Sequence, residues 1–295
     1  MTENKLIDQE TLVNLFPWTK GRITYDYVLT SYRRPYACNT YCINSIFQIH
    51  NETANIWIHM FGIGCSMVMF MISASNTEIL KSIYSISSIF VYVNSIRYHT
   101  LGCHSDIVSK KVQCMDWVGI YTHCFVTHLV TSYYFFDRGP VREQAMLADA
   151  SGDMREVALL PDAYGSGGIY LWLWFNLINA VCGKWLLKHT YISISNTTNC
   201  HETNGVEYAF RSIITMIYGL GSIISWFIGD LIYGYRGFPR DLLLTYLCYG
   251  SVIVCIFNFP EICLPRGMVD IVGYSHQWFH VGIVCGNTFL WYAIK

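Results

Sequence analysis

Charge is what this sequence has least of. Asp, Glu, Lys and Arg make up 13% of its 295 residues, against about 25% in an ordinary soluble domain. The basic and acidic residues nearly cancel, leaving a formal net charge of −1. That balance supplies no electrostatic footprint for nucleic acid, so no nucleic-acid partner is expected. The twelve cysteines contain no CxxC pair. They lie mostly in or beside apolar runs, where they read as small side chains packed between helices. The first residues, MTENKLIDQETL, lack the apolar core of a cleavable signal peptide, so the first apolar run is expected to act as its own insertion signal. Internal repeats and low-complexity tracts are absent too.

What fills the space is hydrophobicity: 53% of residues are apolar and 16% aromatic. Seven apolar runs, near 57–74, 83–101, 117–136, 169–187, 208–228, 242–259 and 274–294, are long enough to cross a hydrocarbon core of about 30 Å. The pattern predicts an all-α, seven-transmembrane helix bundle over 56–295, an integral multi-pass protein of the plasma membrane or an endomembrane. Residues 1–55 form a polar and aromatic N-terminal arm, with Trp and Tyr suited to headgroup depth. The atypical polar loop 137–168, with six acids and three bases, separates spans 3 and 4.

Orientation follows from Lys and Arg. A cytosolic N-terminus puts twelve of them on the cytosolic side and seven opposite, which favours N-in and C-out. The glycosylation sequons at Asn51 and Asn196 both fall on the cytosolic side of that arrangement, and a glycan on either would overturn it.

Ionisable groups within spans are costly and therefore functional candidates. His276 and His280 in GYSHQWFH stand four apart, on one helix face, a spacing that lets two imidazoles bind one metal ion. In the seven-span alternation, span 7 starts on the side where span 2 ends and span 3 begins. SIRYH closes span 2 and sets Ser95 and His99 four apart; CMDWVGIY opens span 3 and carries Asp116. His99, Asp116, His276 and His280 thus share one membrane depth, near the cytosolic face, and offer N and O ligands of the kind Zn²⁺ takes.

The strings IHNETANIWIHMFG, SIRYHTLGCHS, MDWVGI and PEICLPRGMVDIVGYSHQWFH, in this order, resemble the progestin and adipoQ receptor family, which includes adiponectin receptors and is related to hemolysin III and alkaline ceramidases. The resemblance runs from about residue 45 to the C-terminus, except for 137–168. It implies seven spans, a cytosolic N-terminus and an intramembrane zinc held by His99, His276 and His280, with Asp116 on the zinc-bound water and Ser95 at the family's serine position. Zinc can bring a bound water's pKa to about 7; Asp116 would orient that water or take its proton, and Ser95 would stabilise a developing oxyanion.

The implied function is a signalling receptor with a zinc-dependent lipid amide hydrolase core, ceramide-like lipid as substrate and fatty acid as product. An extracellular ligand and a cytosolic signalling partner belong to that picture. The alternative is a non-catalytic receptor or metal and lipid homeostasis protein with purely structural zinc. Zinc transport is disfavoured, because one closed ligand set at one depth makes no path.

Blander readings compete residue by residue. Asp116 would favour a helix N-terminus on dipole grounds alone, and Ser95 would serve helix packing. His59, in ETANIWIH, reads as a second-shell or packing residue near the zinc. Glu52 and Asn55 read as caps of span 1 or ties to the arm. His123 and His128 read as packing residues with a hydrogen bond.

Overall fold

The computed structural model describes residues 6–137, 176–190, 218 and 240–294. Among these the secondary structure is helical, apart from one isolated bridge between Ile7 and Tyr32. In the arm lie α1 (Gln9–Leu15) and α2 (Asn39–Asn44); long helices α3 (Thr53–Ser75), α4 (Ile79–Leu101) and α5 (Asp106–Asp137) follow. Then come α6 (176–190), α7 (Arg240–Tyr249), α8 (Ser251–Ile256) and α9 (Ser275–Ala293). The expected fifth span and loop 137–168 fall outside the described residues, save Tyr218 and Asp137.

Helices α3 and α4 are each 23 residues long and apolar enough to cross a membrane, with a length of about 35 Å at 1.5 Å per residue. Their faces are inverted relative to a soluble protein. On α3, small and polar residues (Asn55, His59, Gly62, Ser66, Ser73) point inward, while Phe61 is 69% exposed and Trp57, Met67, Val68 and Met71 also face outward. An apolar outer face with small residues at the contact is how helices pack in lipid. A Cβ on Gly62 would stand 2.9 Å from the Tyr92 ring, so glycine is what lets α3 approach α4 there. In sequence, α3 packs on α4, α4 on α5, and α9 on α3, α7 and α8.

Two expected spans differ in outline. Helix α5 begins eleven residues before the expected 117, because Asp106 starts it with Arg22 and Lys110 paired to its carboxylate. Asp116 therefore lies in the third turn, and the dipole explanation of its position fails. The expected span 242–259 divides into α7 and α8 around Gly250 and turns at Asn258, whose φ is 49°; Asn tolerates that conformation better than most residues, and Pro260 cannot continue a helix.

The arm is a folded cap. Leu12, Val28, Tyr32 and Tyr274 form a buried cluster joining it to the start of α9. Asp270 accepts backbone N–H bonds from Leu29 (2.8 Å) and Thr30 (2.9 Å). Arg33 donates to the carbonyls of His99 and Thr100 and to Ser45, a cation on the C-terminal carbonyls of α4. Asn51 is 2% exposed and donates to Glu52, so this sequon has no room for a glycan; Asn196 is outside the described residues.

Deeper in the bundle, Asn287 knits four helices. Its Oδ1 accepts from Tyr249 (2.6 Å) and pairs with His123 Nε2 (3.1 Å), and its Nδ2 donates to the Tyr92 hydroxyl (2.7 Å). His123 also meets Ser87 at 2.9 Å, and His128 Nδ1 meets Asn179 Oδ1 at 3.0 Å. Both histidines are thus hydrogen-bonded packing residues.

Candidate metal centre

Four helices bring the site together at the end covered by the arm. The C-terminal turn of α4 presents His99, and Arg33 on the His99 carbonyl fixes that turn. Helix α9 presents His276 and His280 from its first turns. Its start is set by Glu261, which accepts from the Ser275 N–H at 2.7 Å and from the Ser275 hydroxyl, a carboxylate at a helix N-terminus. Gln277 braces the same corner, accepting from Gly273 N–H (2.6 Å), a residue with φ of 105°, where glycine alone is unstrained. The Tyr274 hydroxyl donates to the Asn51 carbonyl (2.9 Å) and accepts from Asn55 (2.8 Å), tying α9 to α3.

The centre is a knot of imidazoles. His99 Nε2 and His280 Nε2 are 3.0 Å apart. The other ring nitrogen of His99, Nδ1, lies 2.8 Å from a Glu52 carboxylate oxygen. Opposite a carboxylate Nδ1 carries a proton, and Nε2 is the nitrogen turned toward His280. The His59 ring stands 4.2 Å from the His280 ring and 5.9 Å from that of His99, centroid to centroid. Both of its nitrogens are buried without a hydrogen-bond partner. Buried polar atoms left so are rare.

One ligand atom from each of His59, His99 and His280 lies within 4.8 Å of the others, so these three could hold a metal ion. The chemistry of the set suits zinc: three imidazoles, one of them hydrogen-bonded through its other nitrogen to a carboxylate, as is usual for metal-binding histidines.

The remaining sequence candidates surround this group. The His276 ring is 4.4 Å from that of His280 and 5.5 Å from that of His99. Its Nδ1 lies 3.7 Å from Cys255 Sγ, and the Tyr25 ring from the arm covers it at 5.4 Å. Asp116, from α5, faces Ser95 and His99, and its Oδ1 is buried without a hydrogen-bond partner. Ser95, 4% exposed, is one turn before His99. The fold therefore gathers His99, His276, His280, Asp116 and Ser95, and it sets His59 directly among the imidazoles.

Glu52, expected as a cap of span 1 or a tie to the arm, has a partner that reading the sequence missed, His99. Besides His99, its carboxylate accepts from Asn55 at 2.6 Å and from Asn51 at 3.4 Å. It makes no side-chain cap on α3; its role is to hold His99. The available signal was its place seven residues before His59, two helical turns, which puts both on the face that meets α4.

The Haemolysin-III related family model matches residues 47–291. An uncharacterised protein of Schizosaccharomyces pombe is 24% identical over 294 residues, covering 91% of this chain and 56% of that protein. The ADIPOR-like receptor IZH1 of Eremothecium gossypii is 20% identical over 295 residues, covering 94% and 80%. Progestin and adipoQ receptor-like protein 1 of Caenorhabditis elegans is 27% identical over 281 residues, covering 92% and 57%. The chain thus spans little more than half the length of two of these three relatives. Helical, with two helices fit to cross a bilayer, and matched over most of its length by this family model, the chain belongs to the haemolysin-III related family, within its progestin and adipoQ receptor group.

Proposed function

We propose that this protein is a seven-span, N-in membrane receptor of the adiponectin-receptor type whose core is a zinc-dependent lipid amide hydrolase. The observation that carries the reading is the buried group His59, His99 and His280, with Glu52 on His99. Zinc would be held by His99 and His280 with a third imidazole, from His276 or His59. When bound, zinc lowers the pKa of a coordinated water to about 7 and supplies a nucleophile at neutral pH. Asp116, with one oxygen lacking a partner, would take or hold a proton beside His99. Ser95, against Asp116, has a hydroxyl to offer to oxygen charge developing on a carbonyl. The apolar outer faces of α3 and α4 suit a substrate that arrives from the bilayer, here a ceramide-like amide, with fatty acid as product. The receptor part of the proposal rests on the names of the relatives, and implies an outside ligand and a cytosolic partner.

A second reading has its own support. His59 belongs to the group whose ligand atoms lie within 4.8 Å of one another; with His276 as a fourth ligand, zinc would have four protein ligands and be a structural ion with no open position. The two separate experimentally. Purified protein is assayed for zinc and for fatty acid released from ceramide, beside Asp116→Asn and Ser95→Ala. Under the hydrolase reading, wild type holds one zinc per chain and releases fatty acid, and both variants keep zinc while losing most of the release. Zinc-loaded wild type with no release from ceramide refutes the hydrolase, and protein without stoichiometric zinc refutes both readings.

A further inference from the structure

We propose that Cys42 and Cys103 are an oxidation site, a thiol pair that closes to a disulfide and reopens, fastening the N-terminal arm to the end of α4. The two sulfurs are 3.7 Å apart and buried, and both cysteines are free. They come from elements far apart in sequence. Cys42 is in α2 of the arm; Cys103 follows the last turn of α4, four residues after His99. The inference does not depend on a metal at the histidines.

The surroundings divide the chemistry between them. The hydrogen bond shared with Cys42 and the nearby Arg33 guanidinium hold the Cys103 thiol below its ordinary range, and the same pairing together with burial pushes Cys42 up. Of the two, Cys103 is therefore the more readily ionised thiol and Cys42 the one that resolves it, the division found in reactive pairs near a cation. A small cavity is lined by Arg33, Tyr98, Gly102 and Cys103, beside the sulfur pair. The Tyr36 N–H donates to the Cys103 carbonyl at 3.1 Å and Cys103 Sγ packs on the Thr100 carbonyl at 3.7 Å, so the sulfur is held on the side that faces Cys42.

The oxidant is a hydroperoxide, and hydrogen peroxide serves as the probe. The Cys103 thiolate attacks one peroxide oxygen; an S–O bond forms, the O–O bond breaks and hydroxide leaves. Cys42 sulfur then attacks Cys103 sulfur; the S–S bond forms, the S–O bond breaks and water leaves. In sum two thiols and one peroxide give one disulfide and two waters, with two electrons passing from sulfur to peroxide. A dithiol returns them by exchange. Closure encloses the segment that carries Glu52, His59 and His99, so the arm can no longer lift from the histidine site.

Full-length protein in detergent is treated with hydrogen peroxide, alkylated under denaturing conditions and digested without reductant. The expected result is a joined Cys42–Cys103 peptide, a chain lighter by about 2 mass units for that bond, and its reversal by dithiothreitol. Cys42→Ser should leave a sulfenic acid on Cys103 that dimedone traps, while Cys103→Ser should leave Cys42 untrapped. The joined peptide should also come with an upward shift in melting temperature of several degrees. Wild-type protein in which both cysteines stay alkylatable at a dose that oxidises the exposed Cys182 and Cys263 overturns the proposal. So does a link present before treatment that dithiothreitol leaves intact. Both readouts use the wild type, so a variant that misfolds does not blunt them.

Discussion

Removing the carboxylate of Glu52 should loosen metal from the histidine site in two graded steps. Three donors converge on this buried group: His99 Nδ1 at 2.8 Å, Asn55 at 2.6 Å and Asn51 at 3.4 Å. The first two share one oxygen, so in Glu52→Gln the remaining carbonyl oxygen can still serve both. The new amide then faces only the longer contact, to Asn51. Geometry survives and the charge goes. Glu52→Ala removes both, and leaves the His99 Nδ1–H buried without an acceptor.

Losing an outer carboxylate of this kind typically costs about 10- to 100-fold in metal affinity. We therefore expect about 10-fold for Glu52→Gln and about 100-fold for Glu52→Ala, or roughly 1.4 and 2.7 kcal/mol at 1.36 kcal/mol per decade. Zinc competition against a chromophoric chelator in detergent at neutral pH measures this directly, with a melting curve confirming that each variant is folded. If folded Glu52→Ala keeps wild-type zinc affinity, the assignment of Glu52 as the group that orients His99 is refuted. If wild type binds no zinc, the metal reading fails first.

Other consequences follow from the same packing. A Cβ on Gly282 would lie 2.0 Å from Ser251 Oγ and 2.5 Å from the Cys248 carbonyl; Gly282→Ala should destabilise by about 1–3 kcal/mol, whereas Gly64→Ala, with nothing within 4 Å, should be neutral or slightly stabilising in the same melt. Asn287→Ala strips partners from Tyr92, Tyr249 and His123 and should cost about 2–4 kcal/mol, visible as an early melting transition; a wild-type melt would show that this network carries no weight. His50, outside the spans, is fixed as the neutral tautomer, its Nε2 against the Ser45 carbonyl and its Nδ1 accepting from Glu52 N–H. Burial, with Arg33 adding, pushes it down to about 3. A histidine depressed in the folded state binds its proton first in the unfolded one, so its contribution is complete above about 6.5 and is lost progressively toward 3; at pH 5 the loss is about 2 kcal/mol. Stability measured against pH should fall less steeply between 6.5 and 5 in His50→Asn, and an unchanged slope would exclude His50 as a source of acid sensitivity.

The elements were legible where composition alone dictates them. The runs expected at 57–74, 83–101 and 274–294 coincide with α3, α4 and α9 to within about four residues, because a long apolar stretch must satisfy its backbone internally and a helix does so. Boundaries failed where polar neighbours decided them. Asp106, held by Arg22 and Lys110, starts α5 well before its apolar run, and nothing in CMDWVGIY hints at that. The arm misled more. Its Tyr and Trp read as headgroup anchors, yet Tyr32 and Tyr25 pack against Tyr274 of the α9 start, a contact spanning most of the chain.

For the site, sequence by itself set His276 and His280 on one helix face, and Ser95 and His99 on one face of another helix. Spacing within SIRYH and SHQWFH is local geometry. What only the tertiary structure decided is who touches whom. His59 became a neighbour of His280, and Glu52 the partner of His99, because α3 closes on α4 at Gly62 and α9 is pinned by Tyr274. The physical reason is that helical periodicity fixes a residue's direction from its own axis, whereas contact depends on how axes rotate and approach one another. That is set by small residues and buried hydrogen bonds distributed over the whole chain.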